Sequence, residues 1–211
     1  MNIISCSCSG TTTPRSENVA SHILLTLLLI AILVILSGCS ANPTRSAAMI
    51  PSDVQTARKY TKSVSITVSG GEKTDPQGVP RISNEAFQKA ITEAIRNSQL
   101  FAAVVDGKSA DYQLEAVIFS IEQPFFGTDM TADLEVGWTL SEVSTKKILW
   151  RKSIQSHYTE PEGGAFLAVE RVRLAIEGAA KENIRDALEQ ISHSTEISAL
   201  SPSILTDSVF F

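Results

Sequence analysis

The feature that most constrains the fold is a run of three alternating segments between residues 112 and 158. Residues 130–140 alternate strictly between apolar and polar side chains, which predicts a strand with one buried face. Residues 112–123 and 147–158 predict two further strands, and the short polar linker 142–146 suits an antiparallel hairpin. A three-stranded meander is therefore expected.

Other segments precede and follow this meander. Residues 63–69 alternate as a half-buried strand, and Ser83 is a plausible N-cap for a helix that ends near residues 97–98. Residues 100–105 fit either a packed connection or a short strand. Helical spacing of apolar residues from Val169 to Ile191 predicts a long final helix, with Glu177 among the charged residues of its solvated arc.

The order β-α-β-β-β-α predicts an α+β domain over residues 63–192. We expect two layers: a mostly antiparallel sheet of about four strands, with both helices on one face. The first strand has no assigned place, because the helical crossover allows docking at either edge. Residues 193–211 form a Ser-rich tail without a convincing period.

One predicted strand is apolar on both faces, with Val117, Phe119 and Ile121 opposite the predicted core side. The loop that follows contains Phe125 and Phe126. These aromatic residues either fold back onto the core or form an exposed contact patch. The tail, a second copy of the chain or a partner protein must cover the second face, so Phe119, Phe125 and Phe126 are candidate partner contacts.

The N-terminal part contains an apolar run at residues 23–36, shorter than the roughly 20 residues of a membrane-spanning helix. It ends in Leu36-Ser37-Gly38-Cys39, which resembles the lipobox of bacterial lipoproteins. The resemblance implies that residues 1–38 are a signal peptide cut between Gly38 and Cys39. It also implies that Cys39 carries a covalently attached lipid, which includes palmitate. An uncleaved anchor is the alternative.

Residues 39–62 then predict a lipid anchor and flexible tether, because Pro43 and Pro51 interrupt a stretch without apolar periodicity. In the lipoprotein family, an Asp after the lipidated cysteine implies retention in the inner membrane. Ser40 occupies that position here. The resemblance therefore implies an outer-membrane protein whose domain faces the periplasm.

Few residues suggest reaction chemistry. His157 and His193 are far apart in sequence, and neither a nucleophile elbow nor a metal-ligand spacing is present. The net charge of -5 argues against nucleic acid as a partner. Since Cys6 and Cys8 fall in the signal peptide, no internal disulfide is expected. We expect a protein that is not an enzyme and has no cofactor besides its lipid. The alternative is an enzyme using Gly70-Gly71 or carboxylates such as Glu122, Asp129 and Asp133.

Residues 68–74, 82–87, 123–127 and 170–175 resemble a group of small proteobacterial lipoproteins without an established activity. Some relatives are labelled UDP-N-acetylglucosamine acyltransferases, but such enzymes resemble left-handed β-helices of hexapeptide repeats, and this sequence has no such repeat. More loosely, the strand pattern is similar to lipoprotein activators of peptidoglycan synthases and curli secretion lipoproteins. We therefore expect a domain that docks onto or stabilises another envelope component. A structural homo-oligomer remains an alternative.

Overall fold

A five-stranded mixed sheet forms one layer of the domain. The structure is a computed structural model that describes residues 22–29, 42–75, 78–123 and 129–194. The chain divides into two units, residues 1–39 and 40–211, and residues 22–29 of the first are helical. Among the described residues, no helix combines the length and apolar character needed to cross a membrane.

The second unit contains five strands and two α-helices in sequence order. They are β1 (Tyr60–Ser69), α1 (Asn84–Ser98), β2 (Phe101–Val104), β3 (Tyr112–Glu122), β4 (Met130–Glu142), β5 (Ile148–Glu160) and α2 (Ala168–His193). Short 3₁₀ turns occur at Ser46–Met49 and Gly107–Ser109. Residues of both α-helices share one core with the buried face of the sheet, which confirms the predicted two-layer α+β arrangement.

The sheet differs from the predicted one in strand number and direction. Its order is β2-β1-β3-β4-β5, and β1 is parallel to both β2 and β3. The prediction of about four mostly antiparallel strands is therefore inexact. The chain runs from β1 through α1 to β2, and this crossover returns it in the same direction, so the two strands pair in parallel. β1 lies inside the sheet rather than at an edge.

α1 matches its prediction closely. The Ser83 hydroxyl accepts a hydrogen bond from the Ala86 backbone N–H at 3.1 Å, as an N-cap does. Gln99 ends the helix in the left-handed conformation, with φ 54°. The buried residues are the ones that the apolar spacing selects: Phe87, Ala90, Ile91, Ala94 and Ile95.

α2 is held against β4 and β5 by a buried polar cluster. The Trp138 indole N–H donates to Asn183 Oδ1 at 2.9 Å, and Asn183 Nδ2 donates to the Ile154 carbonyl at 2.8 Å. Ser156 donates its hydroxyl to the Ala179 carbonyl at 2.9 Å. Each polar group therefore has a partner inside the core, which fixes the position of α2 along the sheet.

Residues 42–59, which we call the strap, run along α2 in the same direction as the helix. Three backbone N–H groups of the strap donate to side chains of α2: Arg45 to Glu177 at 2.6 Å, Gln55 to Glu189 at 2.9 Å and Ala57 to Ser192 at 3.0 Å. Asp53 also forms an ion pair with Arg185 at 3.0 Å. Met49 anchors the strap in the core and has no exposed surface.

This packing differs from the flexible tether expected for residues 39–62. The strap has no apolar period because its backbone is bonded by helix side chains rather than by a neighbouring strand. The strap also explains a wrong prediction for α2. Glu177 was expected on the solvated arc, but it is buried beside Arg173, whose Nη1 donates to Glu177 Oε1 at 2.5 Å.

We expect Met49→Ala to lower the free energy of unfolding by about 2–5 kcal/mol, because it removes a buried side chain and leaves a cavity. Urea unfolding followed by circular dichroism measures the change. Ala47→Ser is the matched control in the same 3₁₀ turn, since Ala47 is exposed and surface changes stay within about 0.5 kcal/mol. Equal stability of the two variants would show that the strap does not pack in solution.

Candidate functional site

The sheet face opposite the helices is the surface on which we predicted partner contacts from the sequence. Val117 and Phe119 lie on this face, and Phe119 is 59% exposed. The neighbouring strand β4 has no side chain at this point, because Gly137 pairs with Val117. We call Val117, Phe119 and Gly137 the Phe119 patch.

Gly137 makes room for the Phe119 ring. A Cβ atom at Gly137 would lie only 2.5 Å from Phe119 Cζ, closer than carbon atoms can approach. The Phe119 ring therefore occupies the space that a side chain at Gly137 would need, while much of the ring stays in solvent. Beside it is a shallow depression of about 380 Å³, lined also by Glu115, Thr139 and Arg151. This combination of an aromatic ring and a polar rim is typical of a contact surface.

Ile121 does not belong to this patch, although the alternation placed it there. The register of β3 against β4 shifts between Ile118 and Ser120, which makes Phe119 the extra residue of a bulge. A shift of one residue moves every later side chain to the other face. Ile121 consequently pairs with Leu134 and packs against the core.

Two of the three candidate carboxylates come together in a polar groove of about 470 Å³. Glu122 pairs with Asp133, and Asp133 pairs with His157 on β5. Asp129 lies apart, in a loop, and accepts a hydrogen bond from the Glu162 backbone N–H at 3.3 Å. Among the described residues, no group of three or more His, Cys, Asp or Glu side chains could hold a metal ion.

The two carboxylates and the histidine of this groove are solvated. Glu122, Asp133 and His157 are all exposed, whereas acid-base residues are usually tuned by burial. The buried serine of the groove, Ser156, is bonded to α2 instead. The groove therefore presents solvated charges.

The loop glycines have structural roles. Gly70 has φ 80°, and a Cβ atom there would lie 2.2 Å from the Ile118 carbonyl oxygen, so this turn requires glycine. The Gly71 N–H donates to Asn84 Oδ1 at 2.8 Å, which fixes the start of α1 against the end of β1. The N–H of Gly71 is thus already bonded within the fold.

A second pair of exposed apolar residues was not predicted from the sequence. Phe166 is fully exposed and Leu167 is 50% exposed, in the loop between β5 and α2. We call these two residues the apolar tip. They precede α2, which begins at Ala168. A signal was present, because Phe and Leu follow Gly163-Gly164-Ala165 outside the helical spacing.

Several predicted site residues lie outside the described residues. These are the lipidation and cleavage residues Gly38 and Cys39 and the loop residues Phe125 and Phe126. Their roles stay predictions. The tail from residue 195 onward also lies outside the described part of the chain.

No protein-family model matches the sequence, and no curated protein matches it. Solved structures resemble the fold. A Xanthomonas campestris protein of family DUF330 aligns with a TM-score of 0.59 at 12% identity, over 76% of this chain and 100% of the other. For a Chlamydia trachomatis protein, the TM-score is 0.49 at 9% identity, over 65% and 98% of the two chains. For a minor lipoprotein from Acinetobacter baumannii, it is 0.41 at 13% identity, over 67% and 96%.

At these identities, the likeness to the Xanthomonas campestris protein shows a shared fold and nothing about activity. The two likenesses with TM-scores below 0.5 add no argument of their own. The chain therefore has the α+β fold of the Xanthomonas campestris protein.

We expect Gly137→Ala to push the Phe119 ring aside, at a cost of about 0.5–1.5 kcal/mol for a distorted side-chain torsion. In a Phe119→Ala background, the same change should instead stabilise the strand by about 0.5–1 kcal/mol. A double-mutant cycle in urea measures the coupling. If Gly137→Ala had the same effect in both backgrounds, the ring would not lie over the glycine.

Proposed function

We propose that this protein is a lipid-anchored outer-membrane lipoprotein whose periplasmic domain docks onto another envelope protein without catalysing a reaction. The observation that carries the docking part is the Phe119 patch. A solvent-facing aromatic ring on a helix-free sheet face is a surface that a partner can bury.

The anchor part rests on the sequence. The segment Leu36-Ser37-Gly38-Cys39 resembles a lipobox, and Ser40 supports the outer membrane as the destination. Acylation of Cys39 would account for membrane attachment without a membrane-spanning helix.

The docking surface has a definite chemistry. The Phe119 ring provides the apolar centre, and the rim carries groups of both charges, with Glu115 on one side and Arg151 on the other. Buried aromatic residues carry much of the binding energy of protein interfaces, while charged rims contribute mainly to specificity. The partner should therefore present an apolar side chain flanked by polar groups.

The anchor is tested by metabolic labelling with radioactive palmitate. We expect Cys39→Ser to abolish labelling and to release the protein into the soluble fraction, because the acylated thiol is lost. The matched control is a Cys6→Ser, Cys8→Ser double variant, which should stay labelled, since both residues precede the cleavage site. Labelling that persists in Cys39→Ser would contradict the anchor.

The docking surface is tested by crosslinking in intact cells followed by affinity purification. We expect Phe119→Ser to reduce recovery of the partner at least about tenfold, the loss typical of a central aromatic contact. Ile148→Ser is the control, because Ile148 is also an exposed apolar residue, 44% exposed, at the far end of β5. A parallel Phe125→Ser, Phe126→Ser variant tests the loop.

Urea unfolding of Phe119→Ser should show a stability close to that of the unaltered protein, since the ring is mostly in solvent. Undiminished recovery of the partner in Phe119→Ser would remove this patch from the proposal. If the only crosslinked species is a second copy of the chain, the homo-oligomer alternative replaces docking onto another protein.

A further inference from the structure

The apolar tip lies at the end of the domain where α2 begins. Phe166 is fully exposed, and Leu167 directly precedes the first residue of the helix. Neither the core nor the Phe119 patch uses these side chains. Exposed apolar residues that occur singly are common on protein surfaces, so exposure alone does not assign the tip a role. Its position relative to the rest of the chain does.

The strap begins at this same end of the domain. Side-chain hydrogen bonds from Arg173 and, to a smaller extent, from Asn42 lower the pKa of Glu170, which places Asn42 beside the first turn of α2. Glu170 is three residues beyond Leu167, about 5 Å along the helix axis. From Asn42 the strap then follows α2 away from the tip, through Arg45 beside Glu177 to Ala57 beside Ser192.

This direction limits how far the domain can stand from its anchor. Cys39 precedes Asn42 by three residues, and three extended residues span at most about 11 Å. A lipid on Cys39 would therefore enter the membrane close to the start of α2. The remaining residues of the expected tether cannot act as a spacer, because the strap is bonded to the helix.

We propose that the apolar tip is a membrane-contact site, with Phe166 and Leu167 inserted at the boundary between headgroups and acyl chains of the lipid layer that holds Cys39. The inference rests on the lipid anchor proposed above. Aromatic and aliphatic side chains are favoured at this boundary, where their apolar surface leaves water. The short connection to the anchor keeps the tip near the lipid, so the two residues need not bind it strongly on their own.

Charged groups of both signs lie beside the tip. The Glu162 N–H is bonded to Asp129, and Glu160 ends β5. Arg171 lies in the first turn of α2, and its N–H donates to the Leu167 carbonyl at 3.1 Å. The rim therefore has no single sign of charge, and the tip contacts the lipid surface through apolar insertion.

The test uses the acylated full-length protein in vesicles of phosphatidylcholine brominated on its acyl chains, with no other protein present. The tryptophan introduced by Phe166→Trp should lie about 5–10 Å deep in the lipid layer. Bromine on the acyl chains should then quench the fluorescence that this tryptophan contributes about twofold or more. The natural tryptophans give a common background, because Trp138 and Trp150 are buried. Thermal unfolding by circular dichroism confirms that each variant is folded.

Ile148→Trp is the matched control. Ile148 is an exposed apolar residue at the other end of β5, and the 13 residues of this strand span about 40 Å at 3.3 Å per residue. We expect no quenching there.

The outcomes separate the tip from the anchor. An acylated, vesicle-bound Phe166→Trp protein whose added emission is not quenched would overturn the tip and leave the anchor intact. Equal quenching of Phe166→Trp and Ile148→Trp would also overturn it, because the domain would then lie without a fixed orientation. A protein that carries no lipid on Cys39 would overturn the proposed anchor, and the inference about the tip with it.

Discussion

The hydrogen bonds of Asn183 fix the helix on which the rest of the structure depends. Asn183 accepts from the Trp138 indole at 2.9 Å and donates to the Ile154 carbonyl at 2.8 Å, in the middle of the core. Sliding α2 by one turn would displace it about 5.4 Å and leave these groups unpaired, at about 1–3 kcal/mol each. The helix therefore has one favoured position along the sheet. Because the strap bonds to three residues spaced along α2, the path of residues 42–59 over the domain is fixed as well.

The elements that follow local rules could be predicted from the sequence. Ser83 caps α1 as expected, and the strict alternation of residues 130–140 identifies the buried face of β4. Three features depended on contacts distant in sequence. β1 lies between β2 and β3, the bulge at Phe119 turns Ile121 toward the core, and the strap covers Glu177. Alternation and helical spacing describe one segment at a time, so they carry no information about such contacts.

The candidate site could be predicted only in part, because it too depends on contacts distant in sequence. Phe119 does lie on the open face, but its setting depends on Gly137, a residue on another strand. The apolar tip was missed because Phe166 and Leu167 belong to no periodic segment. The two surfaces suggest separate tasks. The Phe119 patch is suited to a protein partner, whereas the tip lies where the chain would approach a membrane.

We expect the strap to hold the lipid-anchored domain directly at the lipid surface. Neutron reflectometry of the acylated protein on a supported phosphatidylcholine bilayer tests it, because it measures the protein density profile along the membrane normal. We expect protein density that begins in the headgroup region and continues without a hydrated gap. A water-filled gap of several tens of ångströms would contradict it, since a free tether of some 20 residues extends to about 60 Å.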